Sequence, residues 1–376
     1  MEDLSMADLS MADLASWLTL ARVPGVGASR FHALLRQFGS PAAALSATVD
    51  ELAETDGVGP QIARAVRGHR DQAFVDRQLH LLDRHDARIV TCRDRDYPER
   101  LREIYDPPPL LFVSGGWKAE DEQSIAIVGT RFTTAYGRKM AESFSAELSS
   151  YGFTVVSGLA RGVDTLAHRT ALRGNGRTVA VLGSGLDRPY PAENRKLMAT
   201  IREHGAVITE HPFGTGPDAV HFPQRNRIIS GSTLGTIVVE AGKRSGALIT
   251  ARFALDQGRE VFAVPGPLNA AGSEGVNRLI KDGTAKLIQR VEDVIEELAP
   301  RLGYEPIRSE PEPAGPAMEL PPEEESMYGQ VTSDPKHIDH LAAALSLTSS
   351  QALGILLALE LKGAVRQLPG MMFVRS

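Results

Sequence analysis

The chain has 376 residues, 42% hydrophobic and 23% charged, the make-up of an ordinary globular protein long enough for two or three cores rather than one. Its longest apolar runs, such as Ile125-Ala126-Ile127-Val128, are far too short to cross a bilayer, which excludes membrane insertion. The net charge of −6 argues against a nucleic-acid partner only if it is spread evenly, and it is not.

Residues 305–325 hold seven glutamates against Arg308, which accounts for the whole of the −6. Residues 125–290 carry 21 Lys or Arg against 13 Asp or Glu, a surplus of +8, enough to hold a polyanion. The lone cysteine, Cys92, cannot form an internal disulfide or a cysteine-based zinc site, and no His-Glu-x-x-His occurs. No metal is expected, and a reducing cytoplasm fits best.

At the N-terminus, Ser5-Met6-Ala7-Asp8-Leu9 is repeated as Ser10-Met11-Ala12-Asp13-Leu14. The early acids are wrong for a signal peptide, and translation is expected to start at Met6 or Met11 as readily as at Met1. Val23-Pro24-Gly25-Val26-Gly27 and Asp56-Gly57-Val58-Gly59 each lie between helical stretches, the pattern of paired helix-hairpin-helix units. Glycines at such a turn let backbone N–H groups approach a phosphate, although a tight turn in a small packing domain has the same spelling. The helical domain is assigned to residues 1–80, with a softer boundary near Asp106-Pro107-Pro108-Pro109.

Residues 81–304 read as an α/β domain. Apolar runs at 125–128, 154–156, 179–182, 207–208, 236–239, 261–264 and 286–288 alternate with helical patterns at 136–149, 164–172, 193–203 and 248–256. That alternation predicts an extended Rossmann-like, doubly wound parallel sheet, whose ligands bind at the carboxyl ends of the strands.

The loops after those strands are unusual. Gly129-Thr130-Arg131 follows the first, Ser157-Gly158-Leu159-Ala160-Arg161-Gly162-Val163-Asp164 the second and Gly183-Ser184-Gly185-Leu186-Asp187-Arg188 the third. A dinucleotide cofactor is disfavoured, because the sixth position of that third loop is Arg188 instead of glycine and no acid ends the second strand; no cofactor is expected. Phe222-Pro223-Gln224-Arg225-Asn226-Arg227 combines two arginines, an amide and a ring, suited to phosphates and splayed bases. Internal pairing of Arg225 or Arg227 with Glu240, Glu210 or Asp164 is the alternative, and one of the two is expected to be structural. Glu240-Ala241-Gly242-Lys243-Arg244-Ser245-Gly246 then brings a cation, a hydroxyl and free N–H groups to a helix start, an anion site. Asp164, His168, Asp187, Glu210, His211 and Glu240 are candidates for acid–base work, but they form no recognisable set of nucleophile, base and orienting group.

Residues 305–326, acidic and rich in proline, read as an extended linker. Residues 327–376 read as a winged helix: a helix from Ile338, a turn at Ser346-Leu347-Thr348, a second helix over 349–361, and a hairpin around Pro369-Gly370. The second helix contains Glu360 and no Lys or Arg, so it is poorly equipped to read a major groove. A partner-binding or regulatory wing fits better.

Taken in order, the loops after the strands, with Val264-Pro265-Gly266 and Gly272-Ser273-Glu274-Gly275, resemble the DNA-processing protein A family, DprA, also called Smf. The resemblance spans nearly the whole chain. It implies a protein without catalytic turnover that binds single-stranded DNA irrespective of sequence, forms a homodimer and loads the RecA recombinase during natural transformation, with other competence proteins as further partners through the winged helix. Carried over by position, its binding residues are Gly129, Thr130, Arg131, Ser157, Gly158, Arg161, Phe222, Arg225, Asn226, Arg227, Lys243, Ser245 and Gly246. Many relatives have a lysine three residues before the Phe-Pro pair where this chain has Ala219. Two rivals stay open: a nucleotide-processing hydrolase using Glu240 or Asp164, and a transcription regulator acting through the winged helix.

Overall fold

The computed structural model describes residues 10–302, 320–332 and 335–375, in two compact units divided after Glu310. The start-site repeat up to residue 9 and most of the acidic stretch, residues 303–319, lie outside the described residues.

The first unit opens with six helices: α1 (Met11–Arg22), α2 (Ala28–Phe38), α3 (Pro41–Ser46), α4 (Val49–Ala53), α5 (Pro60–Gly68) and α6 (Gln72–Arg84). The two glycine turns separate α1 from α2 and α4 from α5, with Gly25 at φ 85° and Gly57 at φ 72°, backbone that a Cβ disfavours. Arg30 clips them together, its Nε donating to the Gly57 carbonyl and its Nη1 to that of Gly25, both at 2.8 Å. These helices do not close a core of their own. Trp17, Phe31 and Leu34 share one apolar cluster with Phe112, Leu182, Val207 and Phe213 of the sheet region. Gln78 of α6 exchanges both amide hydrogen bonds with the Phe213 backbone.

The sheet has nine strands among the described residues: β1 (Ala87–Thr91), β2 (Leu110–Gly115), β3 (Ser124–Val128), β4 (Thr154–Ser157), β5 (Thr178–Val181), β6 (Ala206–Thr209), β7 (Gly235–Val238), β8 (Glu260–Ala263) and β9 (Lys286–Leu287). Their order is β1-β2-β6-β5-β4-β3-β7-β8-β9. From β6 to β9 all neighbours are parallel, whereas β2 runs antiparallel to both β1 and β6. The expected parallel sheet is therefore a mixed one. The Leu110-Leu111-Phe112-Val113 run and the less apolar Ala87–Thr91 supply the added edge.

Between the strands lie α7 (Glu99–Arg102), α8 (Ala135–Ser150), α9 (Val163–Arg173), α10 (Arg195–His204), α11 (His221–Gly231), α12 (Ala247–Asp256) and α13 (Glu274–Lys281), and α14 (Glu292–Leu302) follows β9. Successive strand residues point to opposite faces. Ile125, Ile127 and Val155 pack with α8, α9 and α14, while Ala126, Val128 and Val156 pack with α11 and α12. From β3 the chain moves outward through β4, β5 and β6 on one side and then crosses back to β7 on the other. The loops leaving β3 and β7 therefore diverge, which opens a crevice at the switch point.

In the second unit, α15 (Pro322–Gln330), α16 (Ile338–Ala344) and α17 (Ser349–Leu361) pack with β10 (Lys336–His337), β11 (Val365–Leu368) and β12 (Met372–Arg375) around Met327, Leu356 and Phe373. This is the expected winged helix with one more helix. Glu323, Glu324 and Glu325, assigned to the linker from their charge, form the first turn of α15, where the helix dipole favours them, and Met327 carries that helix into the core. No single described helix is long and apolar enough to cross a membrane.

Candidate nucleic-acid interface

The switch-point crevice is a cleft of about 810 Å³ lined by the end of β3 and by the loops that follow β3 and β7. It brings together Gly129, Thr130 and Arg131 after β3, Phe222, Arg225 and Asn226 from α11, and Lys243, Ser245 and Gly246 before α12. Ser157, Gly158, Arg161 and Arg227, placed in the same site by sequence position, do not line it.

Arg131 is exposed and, among the described residues, has no carboxylate partner. Its guanidinium carbon sits 5.6 Å from the centre of the Phe222 ring, which itself lies 5.6 Å from the ring of Tyr190. A permanently charged fork over the half-buried Phe222, beside the exposed Tyr190, presents donors for a phosphate and faces for a base. Lys243 is exposed and holds Glu274 at 3.0 Å, a solvent-screened pair. Asn226 donates to the Gly246 carbonyl at 3.4 Å, and the Ser245 hydroxyl accepts from the Ala247 N–H at 3.3 Å. Arg244, also exposed and lining the cleft, is a cation that the site assignment left out although it adjoins Lys243; Ala219 lines the same cleft.

The two arginines of the Phe-Pro segment are both internal. The segment is not a loop but the start of α11, and residues two apart on a helix point about 200° apart. Arg227 therefore swings to the far side, where it bonds Glu210 at 2.6 Å and Asp106 at 3.1 Å. Arg225, only 4% exposed, turns inward: its Nη1 donates to the Gly158 carbonyl at 2.7 Å and also to that of Val181. Burial pulls its pKa down to about 10, opposed by the neighbouring Asp164 and assisted by Arg131. The expectation that one arginine is structural is thus corrected to two. Arg225 reaches the cleft from below, as its positively charged floor.

Ser157 is buried, its hydroxyl donating to the Ile127 carbonyl at 2.6 Å and so bracing β4 against β3. Arg161 lies beyond the rim, in a bidentate pair with Glu193 at 2.9 Å. The carboxylates favoured by a hydrolase reading are occupied by the backbone. Glu240 accepts from the Thr134 N–H at 3.1 Å at the start of α8, and Asp164 from the N–H groups of Gly158 and Ala160 at 3.1 and 3.3 Å. Burial raises the Asp164 pKa against the pull of Arg225 and those N–H groups. Among the described residues no group of three or more His, Cys, Asp or Glu is placed to hold a metal ion.

Comparison with known proteins gives the same framework. Residues 88–299 match the DNA recombination-mediator protein A family, residues 11–67 the DprA-like N-terminal HHH domain and residues 311–371 the DprA winged helix domain. Protein Smf of Synechocystis is 33% identical over 96% of this chain and 98% of its own length. The X-ray structure of DNA processing protein A from Streptococcus pneumoniae superposes with a TM-score of 0.66 at 32% identity, over 77% of this chain and 99% of that one. DNA processing protein A from Helicobacter pylori, whose structure was described for its single-stranded DNA binding mode, gives a TM-score of 0.52 at 30% identity, over 57% and 97% of the two chains. With matches running from the glycine turns through the switch-point loops to the wing, the chain belongs to the DNA recombination-mediator protein A family, DprA/Smf.

Proposed function

We propose that this protein is a recombination mediator that holds single-stranded DNA, irrespective of sequence, in the switch-point cleft, without catalytic turnover. The observation that carries this reading is Arg131: an exposed guanidinium without an ion-pair partner among the described residues, stacked on Phe222 above the buried charge of Arg225. Phosphates supply the missing anions and unstacked bases find the rings of Phe222 and Tyr190, contacts that every base satisfies alike. The single-stranded DNA binding mode described for the Helicobacter pylori relative supports the same ligand.

Loading of RecA by a homodimer of this chain, during natural transformation in the cytoplasm, is the activity we infer for it from its family. The test is a gel shift with single- and double-stranded DNA of equal length, with and without RecA, at two salt concentrations. Preference for the single strand, weakening steeply with salt, and a ternary band with RecA are expected. Preference for the duplex, or turnover of mononucleotides, would favour the regulator or the hydrolase.

A further inference from the structure

We propose that a bound strand does not end in the switch-point cleft but crosses Phe132 into a second basic depression on α8 and α9, where Arg138 and Arg169 hold its phosphates. The proposal rests on the reading of the first cleft as a single-strand site and extends it to a surface with no role so far.

The depression measures about 610 Å³, and its charged lining is Arg131, Arg138, Arg161 and Arg169 against the single carboxylate Glu193. Glu193 is bonded to Arg161 and acts on Arg169 only through space, so one carboxylate faces four arginines. Arg138 and Arg169 are both exposed, and the side chain of neither makes an ion pair or hydrogen bond to another described residue. Like charges gathered in one hollow repel one another unless an anion joins them.

Scattered arginines on a helix surface are usually solvated charge and nothing more. Here the two hollows are continuous, because Arg131 and Phe132 line both. Phe132 stands on the divide with 85% of its surface exposed. An aromatic ring held in water between two groups of arginines has no packing role, but it suits a chain that alternates phosphates with flat bases. The depression is also shallow and open, which suits a strand passing through better than an enclosed small molecule.

The test compares the unaltered full chain with Arg138→Ala/Arg169→Ala, using labelled oligothymidylates from about 4 to about 16 nucleotides in fluorescence anisotropy at several salt concentrations. The shortest oligomers, seated in the first cleft, should bind both proteins equally. The longest should bind the variant about tenfold more weakly, with a salt slope shallower by about 1.4 for two lost phosphate contacts on a single strand. Phe132→Ala, at a residue that lines both hollows, should weaken the longest oligomers more than the shortest with an unchanged slope, and the doubly lysine-substituted protein should keep the original slope. Equal loss at every length, or no loss at any, would overturn the extension while leaving the first cleft standing. Failure of the unaltered chain to bind any length would instead overturn the reading beneath it, and the extension with it.

Discussion

Arg225 fills the space that a side chain on Gly158 would need: its Nη1 bonds the Gly158 carbonyl at 2.7 Å, and a Cβ at that glycine would lie 2.5 Å from its Nη2. The floor of the cleft is thus a buried cation seated on two strand-end carbonyls, those of Gly158 and Val181. Arg225→Ala should cost about 3 kcal/mol of stability, because it leaves those carbonyls unpaired and Asp164 without its cation. Urea unfolding measures this. Gly158→Ala should destabilise in the same way, by driving the guanidinium off its seat.

Arg131→Ala should behave in the opposite manner. The side chain is exposed, with its guanidinium over Phe222, so stability should change by no more than about 0.5 kcal/mol. Affinity for single-stranded DNA should drop about tenfold for every base sequence alike, and the salt slope should fall by about 0.7. A changed sequence preference at constant salt slope would contradict a backbone-tracking cleft.

Glu193 competes with any phosphate for Arg161, which it grips through both carboxylate oxygens at 2.9 Å. Hydrogen bonding to Arg161 holds the Glu193 pKa below the usual range, against slight burial and with Arg169 adding to the pull, so the competitor is charged throughout the neutral range. Glu193→Gln should therefore tighten single-strand binding, by about threefold at low salt and less as salt rises. Arg161→Ala should erase that gain, and anisotropy on the pair of variants tests the coupling.

Much of this was legible in the sequence, and the exceptions have physical causes. Runs such as Ile125 to Val128 announced buried strands, and the glycines after them announced a switch-point crevice. Direction was not legible: β2 has the same apolar spelling as its neighbours but enters the sheet from the other end. The Phe-Pro segment misled because adjacent arginines look like one patch in a string, whereas helical geometry sends Arg225 and Arg227 to opposite sides. Glu323 to Glu325 read as linker because charge dominates that stretch, and only Met327 a little further on betrays a helix with a core to reach. The use of Ser157 as a brace between strands left no trace, since a serine that bonds a neighbouring strand and one that faces a ligand look the same.

His168 sets a pH limit on the fold. It is fully buried on α9, with Nδ1 2.6 Å from the Thr178 hydroxyl, which donates onward to the Val155 carbonyl; Nε2 has no hydrogen-bond partner among the described residues. Burial, with Arg225 close by, lowers its pKa to about 3, so the folded state keeps the ring neutral while the unfolded chain takes up a proton below about 6.5. The stability it contributes is complete above that pH and is lost as pH falls toward the folded value, at up to about 1.4 kcal/mol per pH unit. Between pH 7 and pH 5 this amounts to about 2 kcal/mol. His168→Asn, which keeps a donor for Thr178, should remove that part of the acid sensitivity, as urea titrations at the two pH values would reveal.

The winged helix is expected to contribute nothing to grip on DNA. Its second helix, α17, carries no Lys or Arg and exposes Leu357 and Leu361, whereas groove reading needs charged or amide side chains that reach base edges. Of the unit's few cations, Lys362 is paired with Glu324 at 2.6 Å and Lys336 bonds the Gln330 carbonyl. Its core around Met327, Leu356 and Phe373 is drawn from its own residues. A chain ending at residue 302 should therefore keep its single-strand affinity within about twofold, and residues 320–376 alone should leave duplex DNA unshifted at physiological salt. Sequence-specific retention of a duplex by that fragment would restore the regulator reading, because an apolar helix can discriminate between bases only if side chains outside it supply the polar contacts.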